Sequence, residues 1–228
     1  MLRIVNKCKD YVIILKPVGM SSQSDNCQDC DVMSLLSEKL RSEGEDQTLY
    51  PIHRLDKVVG GLLVYARNKK CASELSKLAS SGILSKKYLA VVAGEPEGDV
   101  FVDYLIKNSV LSKAVVANEK QSGAKYSELE FNVLETVEVK KGKLSLVDIT
   151  LKTGRFHQIR AQFSSRGFSL VGDKKYGSKD FAAKTPALFA YKLEFSYNNK
   201  SESSISYPDL ESYPWNMFSK EVYKGIEK

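Results

Sequence analysis

Histidine, tryptophan and cysteine are scarce in this 228-residue chain, at two, one and four residues. Two histidines leave little material for a histidine-rich metal centre. Cys8 and Cys71 stand alone, and Cys27 and Cys30 form the one CxxC, in the polar run Ser24–Asp31. No second CxxC or nearby histidine completes a zinc set, and no strand precedes the pair as in a thioredoxin-like motif. The cysteines therefore read as free thiols in a reducing compartment. Long apolar runs are missing as well. Nothing approaches the ~18 residues of a membrane span, and Met1–Lys7 has no apolar core, so a cytoplasmic location without membrane contact is expected. The phosphate loop GxxxxGK(S/T), a GxGxxG opening a helix and a GxSxG elbow are also absent. That argues against nucleotide-driven and serine-hydrolase chemistry.

What is present is an ordinary globular composition, 43% hydrophobic, with a net charge of +6. Such an excess favours a polyanionic partner such as RNA without requiring one. No internal repeat and no Gly-, Ser- or Pro-rich linker divides the chain, so residues 1–228 are expected to form a single domain.

Tyr11–Leu15 is a β-branched run closed by Lys16-Pro17, a strand ending at a proline. Val32, Leu35, Leu36 and Leu40 share a helical face, with Asp31 as N-cap and Gly44 as stop. Asn68 caps a second helix, Lys69 to about Ser80, with Ala72, Leu75, Leu78 and Ala79 as its stripe. Lys86–Ala93 is a strand ending at Gly94. The chain then turns β-rich. Val100–Val102 and Ala114–Ala117 are short strands. Lys125–Leu134 alternates, and Leu144–Leu151 returns from a hairpin turn at 140–143. Thr153–Gly167 reads as strand, turn and helix, with Phe156, Ile159 and Phe163 docking on the sheet and His157, Arg160 and Ser164 on a neighbouring face. Ala187–Phe195 is a late strand, and the aromatic tail around Trp215 packs back on the body. Strands outnumber helices and do not alternate with them strictly, which defines an α+β fold with a mixed, largely antiparallel sheet.

The densest polar cluster is Pro51–Gly61, where His53, Arg54, Asp56 and Lys57 precede the strand Leu62–Ala66. Asp56 has basic neighbours on both sides. A cation beside a carboxylate favours its charged form, which suits a nucleophile and not a general acid. A structural Asp–Arg pair is the competing reading. A second basic and amide-rich cluster comprises Arg155, His157, Gln158 and Arg160.

His53-Arg54-Leu55-Asp56 with Gly61-Leu62-Leu63-Val64 resembles the first motif of the RluA-type pseudouridine synthases. Lys86-Lys87-Tyr88-Leu89-Ala90 with Gly94 is similar to their second motif, and Leu151–Arg160 to their third. Leu170-Val171-Gly172-Asp173, Tyr176-Gly177 and Lys16–Met20 extend the match in the family's order over about Tyr11 to Phe195. The resemblance implies a pseudouridine synthase fold, a bisected, mostly antiparallel sheet with flanking helices. It implies isomerisation of uridine to pseudouridine in structured rRNA or tRNA, by a monomer, without cofactor or metal.

The resemblance also assigns roles. Asp56 is the nucleophile, Tyr88 stacks on the uracil and Arg160 is the counter-ion of Asp56. Arg54 enters the RNA to hold the target nucleotide flipped out. Lys57, Arg155, His157 and Gln158 are further substrate-binding candidates, and Arg67, Lys87, Arg166 and Lys175 are among the candidate phosphate contacts. No separate N-terminal RNA-binding domain is expected.

Val59-Gly60 stands where the family commonly has Thr-Ser, Gln162 where it has histidine, and Phe189 where another histidine is common. These departures motivate an alternative, a non-catalytic RNA-binding protein on the same fold. A carboxylate glycosidase or nuclease would need a second acid near Asp56, and none neighbours it in sequence.

Overall fold

The computed structural model describes residues 2–23, 31–140, 142–180 and 182–226. Cys27 and Cys30 lie outside the described residues, and Cys8 and Cys71 are free thiols. In chain order the elements are β1 (Arg3–Lys7), β2 (Tyr11–Lys16), α1 (Val32–Ser42), β3 (Tyr50–Pro51), β4 (Gly60–Ala66), α2 (Lys69–Ser80) and β5 (Ser85–Ala93). There follow β6 (Val100–Asn108), β7 (Lys113–Ala117), β8 (Lys125–Val139), β9 (Gly142–Leu151), α3 (Gln158–Ser165), β10 (Leu188–Tyr197), β11 (Lys200–Ile205) and α4 (Lys220–Gly225). Both anticipated caps form. Asp31 accepts from the Ser34 amide, and Asn68 from that of Cys71.

The chain divides into two compact units, Met1–Lys86 with Phe189–Pro208, and Lys87–Leu188 with Asp209–Lys228. In the first, β2 pairs antiparallel with β1 and β4, β3 with β4, and β11 with β10. β10 runs parallel to β4, placing Phe189 opposite Gly60 and Ala190 opposite Gly61. This parallel pair makes the sheet mixed. All seven residues of β4 are buried. A strand covered on both faces has no period-2 alternation, which is why Leu62–Ala66 reads as a continuous apolar run. α2 packs on β4, with Leu75 and Cys71 fully buried beside Ile13, Leu62, Val64 and Phe195. The stripe read from periodicity omitted Cys71, which behaves here as a small hydrophobe.

In the second unit the antiparallel order is β5-β9-β8-β6-β7. β6 runs to Asn108, well past the short strand expected at Val100–Val102, because pairing with β7 and β8 carries it through Asp103 and Lys107, which interrupt its apolar alternation. α3 lies against β6 and β7 and inserts Phe163 between Phe101 and Phe131, with ring centroids 4.9 and 5.4 Å away. The aromatic tail packs as expected. Trp215, Phe218 and Tyr223 are buried, and Ser219 bonds the Glu135 carboxylate through both its amide and its hydroxyl, at 2.9 Å. The docking expected of Phe156 does not occur. α3 begins only at Gln158, after His157 at φ 51°, and Phe156 is 40% exposed. A residue in the left-handed region redirects the chain, so helical periodicity cannot be carried back past it.

Candidate active site

The Asp56 loop is held from both sides, mostly by main-chain groups. The Leu55 amide donates to Ser22 Oγ and the Leu55 carbonyl accepts from it, both at 3.0 Å, while Tyr65 Oη donates to the Ser22 carbonyl at 2.6 Å. The Val59 amide closes a turn on the Asp56 carbonyl at 2.9 Å, and the Lys57 carbonyl accepts from the Gly19 amide at 2.8 Å. Beyond the turn, Gly61 has φ 128°, and a Cβ there would lie 2.3 Å from the Ala190 carbonyl oxygen. Only glycine lets β4 and β10 come this close. Asp56 is half-buried, and Arg54 and Lys57 are exposed.

Beneath the loop lies Lys16, only 1% exposed. Its Nζ donates to the carbonyls of Met20 at 2.6 Å, Pro17 at 2.9 Å and Lys57 at 3.3 Å. Burial pushes the ammonium down to about 8, and the charge of Asp56 opposes the shift. The role of this lysine was not evident from the sequence, although a signal was present: it follows Val12 and Ile14 at period two, on their buried face. His53 has both ring nitrogens buried without a hydrogen-bond partner, and burial together with the charge of Lys86 pushes it down to about 3. It is a neutral ring at physiological pH.

In the second unit, Tyr88 is buried on β5 opposite Ile149 of β9, and its neighbour Lys87 reaches Asp148 at 3.9 Å. Arg160 is buried on α3. Its Nε and Nη2 donate to the two Asp173 carboxylate oxygens at 2.6 and 2.8 Å, and its guanidinium lies 4.9 Å from the Tyr176 ring centre. Asp173 also receives the Tyr176 amide. A planar guanidinium gripped in this way by a carboxylate and an aromatic face cannot rotate.

The remaining candidates of the third motif separate. Gln158 is buried, its Oε1 accepting from Thr153 Oγ1 and the Arg155 amide and its Nε2 donating to the Glu128 carbonyl. Arg155 is exposed, with Nε on the Tyr126 carbonyl at 2.8 Å. His157 bonds Tyr176 Oη through Nδ1 at 3.0 Å, and burial, then the charge of Arg160, pushes it down to about 3. Of the basic residues considered as phosphate contacts, Arg67 pairs with Glu45 and Arg166 with Asp103, at 2.7 and 2.8 Å. Gln162 is fully buried with Nε2 on Asp103 at 2.8 Å, and its Oε1 has no partner.

Gly60 and Phe189 are one structural event. They are register partners, and a Cβ on Gly60 would stand 3.2 Å from the Phe189 ring and 3.0 Å from Val18 Cγ2. The missing side chain at 60 makes room for the large one at 189. Among the described residues no cluster of three or more histidine, cysteine or acidic side chains is placed to hold a metal, and no helix is long and apolar enough to cross a membrane.

The family model for RNA pseudouridylate synthase matches residues 10–165. The chain belongs to this family and is an RNA pseudouridine synthase of the RluA type. It is 29% identical over 183 residues to the ribosomal large subunit pseudouridine synthase C of Rickettsia conorii, covering 80% of this chain and 58% of that one. It is 28% identical to the tRNA pseudouridine synthase C of Vibrio vulnificus, covering 86% and 85%, and 30% identical to that of Haemophilus ducreyi, covering 77% and 74%. Two solved human structures share the fold. RNA pseudouridylate synthase domain containing 1 superimposes with a TM-score of 0.75 at 22% identity, over 99% and 94% of the two chains. Domain containing 4 does so with 0.74 at 20%, over 91% and 89%.

Proposed function

We propose that the chain converts uridine to pseudouridine in a structured RNA with Asp56 as the nucleophile. The observation that carries this reading is the setting of Asp56 within the matched family region. Its loop is pinned by Ser22 Oγ on one side and by main-chain bonds on the other, and a buried ammonium supplies a fixed positive charge. A carboxylate so held is pre-organised for attack. It adds to the uracil ring or to the sugar carbon, the N-glycosidic bond breaks, the uracil turns, and a bond forms from uracil C5 to the sugar carbon as the bond to Asp56 breaks, C5 loses its proton and N1 gains one. The sequence is an isomerisation and needs no co-reactant. Tyr88 lies against the uracil and assists the final proton removal, Arg160 serves as counter-charge to Asp56, and Arg54 enters the RNA. The target nucleotide must leave its stack because a paired uridine hides the reacting atoms.

Relatives named for large-subunit ribosomal RNA and for tRNA make these the two substrate classes to test. Asp56→Asn is expected to abolish pseudouridine formation on unmodified total RNA while leaving the circular dichroism spectrum and RNA affinity within about two-fold of wild type. Full activity in that variant would refute the assignment. Pseudouridine mapping in a deletion strain then identifies the RNA.

A further inference from the structure

Phe156 is an exposed aromatic ring at a position where the sequence pattern called for a buried one, and the surrounding structure holds it there. Its ring is stacked on the His157 imidazole, with centroids 3.8 Å apart and planes 18° from parallel. His157 takes φ 51° and ψ 27°, a conformation that non-glycine residues adopt only when their surroundings fix it. The surroundings here are specific. Tyr176 is buried, its Oη accepts the Ala114 amide at 2.7 Å and meets His157 Nδ1 at 3.0 Å, and its carbonyl accepts from the Ser164 and Ser169 hydroxyls. The histidine ring is therefore a rigid floor beneath Phe156. Cations gather at the same place. Lys107 Nζ lies 5.0 Å from the Phe156 ring centre and Lys113 Nζ 5.6 Å from that of Tyr176; Arg155 is exposed next to Phe156, and Lys175 reaches across to the Ser112 carbonyl at 3.0 Å.

An exposed aromatic ring on a rigid base, ringed by lysine and arginine, combines the two features that bind unpaired nucleotides: a stacking face and phosphate partners. We propose that Phe156 is a stacking platform for an unpaired base of the substrate RNA, with Lys107 moving off the ring to the adjoining phosphate. This rests on the reading of the chain as an RNA-modifying enzyme and adds a contact to it. The surface charge repels basic partners.

The test uses the full chain and a fluorescein-labelled hairpin RNA with an unpaired seven-nucleotide loop. Phe156→Ala is expected to weaken binding about ten-fold, Phe156→Trp to retain it, and Lys107→Ala to reduce the slope of log affinity against log salt by about one. His157→Asn tolerates the same backbone conformation without the ring and is expected to weaken binding with the fold intact. Phe156→Ala binding within two-fold of wild type, or wild type failing to bind the hairpin, overturns the platform. Pseudouridine formation by wild type on unmodified total RNA is scored separately. Its absence, alongside a Phe156-dependent affinity, would refute the catalytic reading and leave the platform standing.

Discussion

The Asp56 loop and the junction of α3 with the Asp173–Tyr176 turn place charged groups by opposite means. Apart from Ser22 Oγ, main-chain amides and carbonyls fix the loop, and even its buried cation, Lys16, is received by three carbonyls. Side chains fix the junction, with Arg160, Asp173, Tyr176 and His157 each in direct contact with another member. Main-chain bonds survive most substitutions, whereas a network of side chains fails when one member is lost. The same kind of task, holding an ionic group in one orientation, is thus robust in one region and fragile in the other.

Asp173→Ala should have the largest effect. It removes the carboxylate that takes two hydrogen bonds from a buried guanidinium, and losses of about 3–5 kcal/mol are usual for breaking a buried pair. Urea unfolding measures it, and a smaller loss than that caused by Lys16→Met would reverse the comparison. Lys16→Met should cost about 1–2 kcal/mol, since three hydrogen bonds go but each carbonyl belongs to a loop able to relax toward water. Its pH signature is the sharper readout. Below about 8 the lysine is charged in both folded and unfolded chains, and burial of the charge opposes folding in full. Between about 8 and its ordinary 10.5 the unfolded chain keeps a proton that the folded chain has lost, so the contribution of Lys16 to stability rises with pH. Activity runs the other way, falling above about 8 as the ammonium near Asp56 disappears. Lys16→Met should erase both trends. The smallest effect is Gly60→Ser, about 1 kcal/mol from crowding Phe189 and Val18. Adding Phe189→His should recover most of it, and a coupling energy near zero in the double-mutant cycle would separate the two positions.

Much of this arrangement could be read from the sequence. Asp31 and Asn68 announced their helices because capping is local chemistry, and β4 announced itself as an unbroken apolar run. The edge strands β1 and β11 escaped notice because Arg3–Lys7 and Lys200–Ile205 are mostly polar, and they are recruited by pairing rather than by burial. Phe156 was misplaced for a different reason. Nothing in its neighbourhood signals that His157 will adopt a left-handed conformation, since the cause is Tyr176, 19 residues away in sequence. The grip of Asp173 on Arg160 was equally hidden. Asp173 was recognisable as part of a motif, but the pairing depends on how α3 meets the following turn.

The three carbonyls around Lys16 have an evolutionary consequence. Every residue has a carbonyl, so replacements at Met20 or Lys57 leave the ammonium's ligands in place. The surface around the proposed nucleophile can therefore drift toward a new RNA without any step that first dismantles its electrostatics. A deep mutational scan should find an intolerant Lys16 and Asp56 separated by permissive neighbours.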